Sequence, residues 1–233
     1  MKQLILSIGA CMVMASTAAS ASGINSELYK LDNTVQDREG NVYLTVSIGD
    51  QVWLAENLRN TQFQDGSAVR SGAVLNDDAA NLLTYGRLYN WHDVSDERNL
   101  CPAGWRVATD EDWKVLERTL GMPENELHKN GWRGGEQHIG LQLKEAQADG
   151  LLTKFEPSLV NKQQFFARPA GVKWNGFYIT QGAYTEFWTA TSATDNQAII
   201  RTLAYSWWNA HKTEIRRATS SKEYMFSVRC VRI

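Results

Sequence analysis

Apolar positions alternate most cleanly from Val42 to Ile48, where Val42, Leu44, Val46 and Ile48 take every second place. A period of two puts those four side chains on one face of a half-buried strand. Gly49-Asp50 supplies a turn and Val52-Trp53-Leu54-Ala55 follows as a second strand, so the pair predicts a hairpin. Asp65-Gly66 marks another turn, and residues 66–84 show no clear period. Gly86-Arg87-Leu88-Tyr89-Asn90-Trp91 predicts a short, buried extended piece.

The period changes after Thr109. Thr109 is a hydroxyl N-cap, and Asp110, Glu111 and Asp112 fill a first turn where the helix dipole favours acids. Trp113, Leu116 and Leu120 then share one helical face, and Gly121 ends the run. A second, shorter helix is predicted from about His138 to Ala148, with Leu141 and Leu143 partly inward. Later segments read as strands. These are Phe165-Phe166-Ala167, Phe177-Tyr178-Ile179, Phe187 to Thr191, the alternating run Ile199 to Ala204, and a last strand. That last strand places Phe226, Val228 and Cys230 on one face and Arg229 on the other. Few helices and many short strands predict an α+β fold, with mixed antiparallel sheets and one or two amphipathic helices in a single domain.

The first residues follow a different logic. Lys2 precedes an apolar run from Leu4 to Ala18, and Ala19-Ser20-Ala21 is a small-x-small site. This order predicts a secretory signal peptide over residues 1–21, cut after Ala21. Residues 22–30 then read as a short tether and 31–233 as the domain. Ile8-Gly9-Ala10-Cys11 offers lipidation at Cys11 as an alternative, but an apolar run continues past the cysteine where a polar tether is expected. The run is too short for a stable span, and no later segment is long enough for one. Cleavage leaves Cys101 and Cys230. An even pair in an oxidising compartment favours a disulfide, with two buried thiols as the alternative. With 24 basic and 26 acidic side chains, no clustered basic excess points to nucleic acid.

Five motifs stand in order along the chain. They are Glu39-Gly40-Asn41-Val42-Tyr43, Ile48 to Leu58 around Trp53-Leu54-Ala55-Glu56-Asn57, Leu88-Tyr89-Asn90-Trp91, Leu100-Cys101-Pro102-Ala103-Gly104-Trp105-Arg106-Val107-Ala108-Thr109, and Phe226-Ser227-Val228-Arg229-Cys230-Val231-Arg232. Together with Phe166-Ala167-Arg168-Pro169-Ala170-Gly171, they resemble the Fibrobacter succinogenes major paralogous domain, a family of exported bacterial proteins, many of them lipoproteins. The resemblance covers roughly residues 30–233. It implies a C-type-lectin-like fold, shared with formylglycine-generating enzymes, in which a disulfide ties the helix region to the last strand. It implies no common activity.

Candidate chemistry is sparse. With Cys101 and Cys230 at structural positions, no thiol remains for an enzyme of the formylglycine-generating type. No nucleophile elbow, zinc helix or phosphate loop occurs, and His92, His128, His138 and His211 are scattered. Calcium-binding lectins use Glu-Pro-Asn and Trp-Asn-Asp motifs. Glu156-Pro157-Ser158 and Trp208-Asn209-Ala210 each lack a ligand, so calcium stays a minor alternative. Asp77-Asp78 and Asp93, Asp96 and Glu97 read as solvated loop acids. Nine tryptophans are the remaining clue. Trp53, Trp91, Trp105, Trp113 and Trp188 are expected in the core. Trp132, Trp174, Trp207 and Trp208, with Asn209, are the candidates for an exposed ligand-binding surface. Arg201, Arg216 and Arg217 read as a solvated strand edge. The expectation is an exported, non-catalytic binding or adhesion module at a bacterial cell exterior, with a glycan or a cell-surface protein as partner. A structural envelope protein is the alternative.

Overall fold

A computed structural model of the chain describes residues 33–145, 158, 161–206 and 209–233. The signal segment, Cys11, the tether, Glu156, Pro157, Trp207 and Trp208 lie outside the described residues. In chain order the elements are β1 (Thr34–Gln36), β2 (Val42–Ile48), β3 (Gln51–Leu54), β4 (Ala73–Val74), α1 (Leu82–Tyr85), β5 (Arg87–Asn90), α2 (Trp91–Val94), β6 (Trp105–Val107), α3 (Asp110–Thr119), α4 (Glu124–Leu127), β7 (Gly131–Arg133) and α5 (Ile139–Leu143). They continue with β8 (Val172–Trp174), β9 (Phe177–Ile179), β10 (Tyr184–Ser192), β11 (Gln197–Ala204), β12 (Ile215–Ser221), β13 (Met225–Phe226) and β14 (Cys230–Arg232).

The strands form three antiparallel sheets, ordered β1-β2-β3-β14-β6, β10-β11-β12-β7 and β4-β5-β13-β8-β9. With only short helices besides α3, this is a mixed α+β architecture. The four-stranded sheet separates two apolar cores. Phe187, Leu203 and Ile215 point into one core, with Trp53, Trp113 and Phe165. Trp188, Ile200 and Ala218 point into the other, with Tyr89, Trp105 and Val228. Cys101 and Cys230 are bonded, with Cα atoms 6.0 Å apart and a sequence separation of 129. Closing so long a loop stabilises the fold by about 4–5 kcal/mol in the chain-entropy model.

The predicted hairpin is present: Val46 pairs with Trp53 and Ile48 with Gln51. Its inward face differs at one end, because Val42 is exposed and Tyr43 is buried. The Tyr43 hydroxyl donates to Asp37 Oδ2 at 2.8 Å and accepts from the Arg59 amide at 3.1 Å, so its polar tip is satisfied inside. α3 starts where the cap predicts. Asp112 N donates to Thr109 Oγ1 at 3.2 Å, and Thr109 N donates to Asp112 Oδ2 at 2.7 Å, closing a capping box.

Other expectations are corrected. The second helix stops at Leu143, because Lys144 is extended and bridges to Ala167. Leu141 and Leu143 are fully rather than partly buried. Phe165-Phe166-Ala167 forms only that single bridge and no strand. The last strand is two strands, β13 and β14, and residues 227–229 cross from one sheet to another. Arg229, placed opposite Cys230 by the alternation, is completely buried. Its guanidinium donates to Asn57 Oδ1 at 2.8 Å, Leu54 O at 2.9 Å and Phe165 O at 2.7 Å, and lies 4.3 Å from the Phe165 ring centre. Burial among carbonyls and rings pulls its pKa down to about 9.

Arg201 and Arg217 do not form a solvated edge. Arg201 is fully buried in β11, which is enclosed on both faces from Ala198 onward. It binds Glu117 Oε1 through Nε, and Asp110 Oδ1 through Nη1 at 2.8 Å. Arg133 clamps Glu117 through two bonds of 2.9 and 3.0 Å, and Arg217 clamps Asp110 through bonds of 2.9 and 2.8 Å. Lys114 Nζ lies 3.1 Å from Asp110 Oδ2. Asp110 therefore does more than favour the helix start: it joins α3 to the sheet. Burial alone would raise its carboxyl, but Arg217 and Arg201 hold it well below the usual range.

Breaking such a network strands a charge, which costs more than the pair is worth. Glu117→Gln is expected to lose about 3–5 kcal/mol in urea unfolding, because Arg133 and Arg201 keep their charge with no carboxylate at that position. The exposed Glu111→Gln is expected to change stability by less than about 0.5 kcal/mol. Equal midpoints for the two variants would contradict a structural role for the network.

Candidate functional site

Trp174-Asn175-Gly176-Phe177 turns β8 into β9. Asn175 has φ 46° and Gly176 φ 84°, the pair of positive values that a two-residue hairpin loop with this dipeptide adopts. Val172 faces Ile179, Lys173 faces Tyr178, and Trp174 faces Phe177. Directly opposed residues share a face, so Trp174, Phe177 and Ile179 lie together with Val172. They are 46%, 68% and 40% exposed and make up three of the six exposed large hydrophobics among the described residues. Tyr224 stacks beside Trp174, with ring centres 5.6 Å apart and planes within 15°, and Phe226 lies 5.6 Å beyond Tyr224.

The hairpin's other face carries a polar cluster. Tyr178 donates to Asp77 Oδ1 at 2.6 Å, and Lys173 Nζ reaches Asp77 Oδ1 at 3.1 Å and Tyr178 Oη at 2.9 Å. Tyr178 and Lys173 hold the Asp77 carboxyl below its usual range. Asp77 is thus a brace for the hairpin.

Trp132 sits elsewhere, on β7 of the four-stranded sheet. Its ring stacks on His211 with centres 4.9 Å apart and planes within 4°. Asn209 accepts from the His211 amide at 2.9 Å and donates to the Tyr184 hydroxyl at 2.7 Å. The structure therefore brings Trp132 and Asn209 to one neighbourhood, through His211, and puts Trp174 on a different sheet. Near Tyr184, on the same face of β10, is Glu186. This residue is half-buried, but its Oε2 is sealed from solvent and has no hydrogen-bond partner. Burial pushes its carboxyl up to about 7, opposed by the charge of Arg216.

The acids Asp93 and Asp96 are committed. Asp93 accepts from Ser71 N at 2.8 Å, and Asp96 pairs with Arg98 at 2.7 Å. A cleft of about 340 Å³ lies between the β1–β2 turn and Cys101. Its amides are used internally: Asn60 donates to Leu100 O at 2.9 Å and Gln64 to Cys101 O at 2.9 Å. No group of three or more His, Cys, Asp or Glu among the described residues could hold a metal ion. No described helix is long and apolar enough to cross a membrane. Trp53, Trp105, Trp113 and Trp188 are buried, and half-buried Trp91 donates its indole N–H to Thr189 O at 3.0 Å. Phe177, Ile179 and Tyr224 escaped the sequence reading as surface residues. The Asn175-Gly176 pair between aromatic runs was the available signal.

The sequence model of the Fibrobacter succinogenes major domain matches residues 46–232. No curated protein and no solved structure matches the chain.

The Glu186 environment has a measurable consequence. Its folded-state pKa lies above the unfolded value of about 4.3, so the unfolded chain releases its proton first and stability falls as pH rises between the two. Melting of the native protein is expected to drop relative to Glu186→Gln by about 1–3 kcal/mol between about pH 5 and pH 7.5. A difference that is constant over this range would contradict a buried, proton-holding carboxyl.

Proposed function

Because the chain belongs to the Fibrobacter succinogenes major domain family over residues 46–232, we propose that it is an exported, non-catalytic binding module. In this reading it takes glycan chains at the aromatic face of the β8–β9 hairpin. The single observation that carries the reading is the grouping of Trp174, Phe177 and Ile179 on one outward face, backed by Tyr224. Contiguous exposed apolar surface marks interaction sites, and flat rings side by side suit the apolar faces of sugar rings.

Export is supported by the order Lys2, apolar run, Ala19-Ser20-Ala21, and by a disulfide of the kind that persists outside the cytosol. The bacterial cell surface or periplasm is the compartment this implies. The three antiparallel sheets, with a disulfide from the loop ahead of β6 to the last strand, support a C-type-lectin-like fold. The absence of enzymatic function is supported by Cys101 and Cys230 being spent on each other. A second reading, a protein partner, is favoured by Ile179 and by the position of β9 at the edge of its sheet, where backbone groups can accept another strand.

Glycan arrays and polysaccharide pull-downs with the mature chain test the proposal. The expected result is retention on at least one glycan, weakened about tenfold or more in Trp174→Ala and Phe177→Ala, a loss of about 1.4 kcal/mol. Melting temperatures should barely change, since both side chains are exposed. Binding to no glycan, or binding unaffected by both substitutions, would overturn the glycan reading.

A further inference from the structure

Among the described residues, both faces of the four-stranded sheet hold buried polar atoms without a partner: Arg133 Nε and the Thr185 hydroxyl on the α3 side, Glu186 Oε2 and the Thr202 hydroxyl on the other. On the α3 side, Arg133, Arg201 and Arg217 each clamp a carboxylate. On the other side, a single register row crosses all four strands: Glu186 faces Thr202, Thr202 faces Arg216, and Arg216 faces Trp132. Directly opposed residues share a face, so the four side chains stand in line over three strand spacings, about 14 Å.

This row is unsatisfied. Thr202 is only 2% exposed, and its hydroxyl is buried with no partner. Glu186 Oε2 is in the same condition. Arg216 is exposed and makes no hydrogen bond or ion pair within the described residues. Native proteins leave few buried polar atoms unpaired, because each forfeits its hydrogen bonds to water. Two in adjacent positions, beside an exposed guanidinium that makes no hydrogen bond within the described residues and a half-exposed indole, form a set of groups that a ligand can complete.

The donor set names the ligand class. A carboxyl and a hydroxyl recognise ring hydroxyls, an indole edge or face packs on an apolar ring, and an exposed guanidinium takes a carboxylate through paired bonds. We infer that Glu186, Thr202, Arg216 and Trp132 form a subsite for an acidic saccharide, a uronate-bearing oligosaccharide. The row is longer than one sugar ring, so it accepts at least a disaccharide. The subsite shares with the hairpin only the glycan class of ligand and lies on a different sheet, which makes the two separable.

Titration calorimetry of the mature chain with tetramers of galacturonate, glucuronate and mannuronate, and with their methyl esters, tests the inference. At least one acidic tetramer is expected to bind, with its methyl ester at least tenfold weaker. Arg216→Ala and Trp132→Ala should each weaken binding about tenfold or more. Thr202→Val should weaken it while leaving the fold stable, and Trp174→Ala should leave it unchanged. The inference is overturned if no acidic tetramer binds, if ester and acid bind alike, or if Arg216→Ala binds like the native chain. It is also overturned if Trp174→Ala abolishes tetramer binding, which would move the uronate to the hairpin. Loss of tetramer binding in the Arg216 and Trp132 variants, with hairpin-dependent glycan binding intact, supports two independent sites.

Discussion

Glu117, fully buried on α3, accepts from Arg133 on β7 and Arg201 on β11, while Asp110, at the start of the same helix, accepts from Arg201 and Arg217. This cluster fixes which face of the four-stranded sheet packs against α3. Removing charged groups from water is costly, and the cost is met only when each carboxylate has well-placed partners. Three arginines on three elements must therefore converge on one side of α3. Register then sends the intervening residues to the opposite side. Arg229 has a comparable role beside the five-stranded sheet that contains β3, holding the end of β3 and the Phe165 segment together through neutral carbonyls and rings.

That constraint links fold to function. Once Arg133, Arg201 and Arg217 are committed to α3, their neighbours Trp132, Thr202 and Arg216 must point away from it. The same kind of bracing acts at the β8–β9 hairpin, where Lys173, Tyr178 and Asp77 form one face and leave Trp174, Phe177 and Ile179 on the other. In both places a polar cluster on one side of the element leaves a second set of side chains on the other. The proposed binding surfaces are the reverse sides of the molecule's polar anchors.

The features of the fold legible in the sequence were those written locally. The β2–β3 hairpin has its turn at Gly49-Asp50, and α3 has its cap at Thr109 and its apolar stripe at Trp113, Leu116 and Leu120. What stayed hidden depends on distant partners. Arginines in an alternating strand look like a solvent edge, and nothing near Arg201 in sequence announces Glu117 and Asp110. The break between β13 and β14 is equally silent, since Ser227-Val228-Arg229 continues the alternation while the chain changes sheets. Of the ligand-binding candidates, Trp174 stands on the aromatic face and Trp132 with Asn209 lies near the polar row. Phe177 was read only as part of a strand, which it is, because β-propensity does not tell an exposed edge hairpin from a buried strand.

The central claim is that ligand contact falls on the reverse faces of these braced elements and spares the cores. Indole N–H resonances of the isotopically labelled mature chain, followed by NMR during titration with a bound glycan, read this directly. The account predicts movement of the Trp174 or Trp132 resonance, with Trp53, Trp113 and Trp188 unmoved. Saturable shifts confined to the three buried indoles, or no indole shift at ligand saturation, would contradict it.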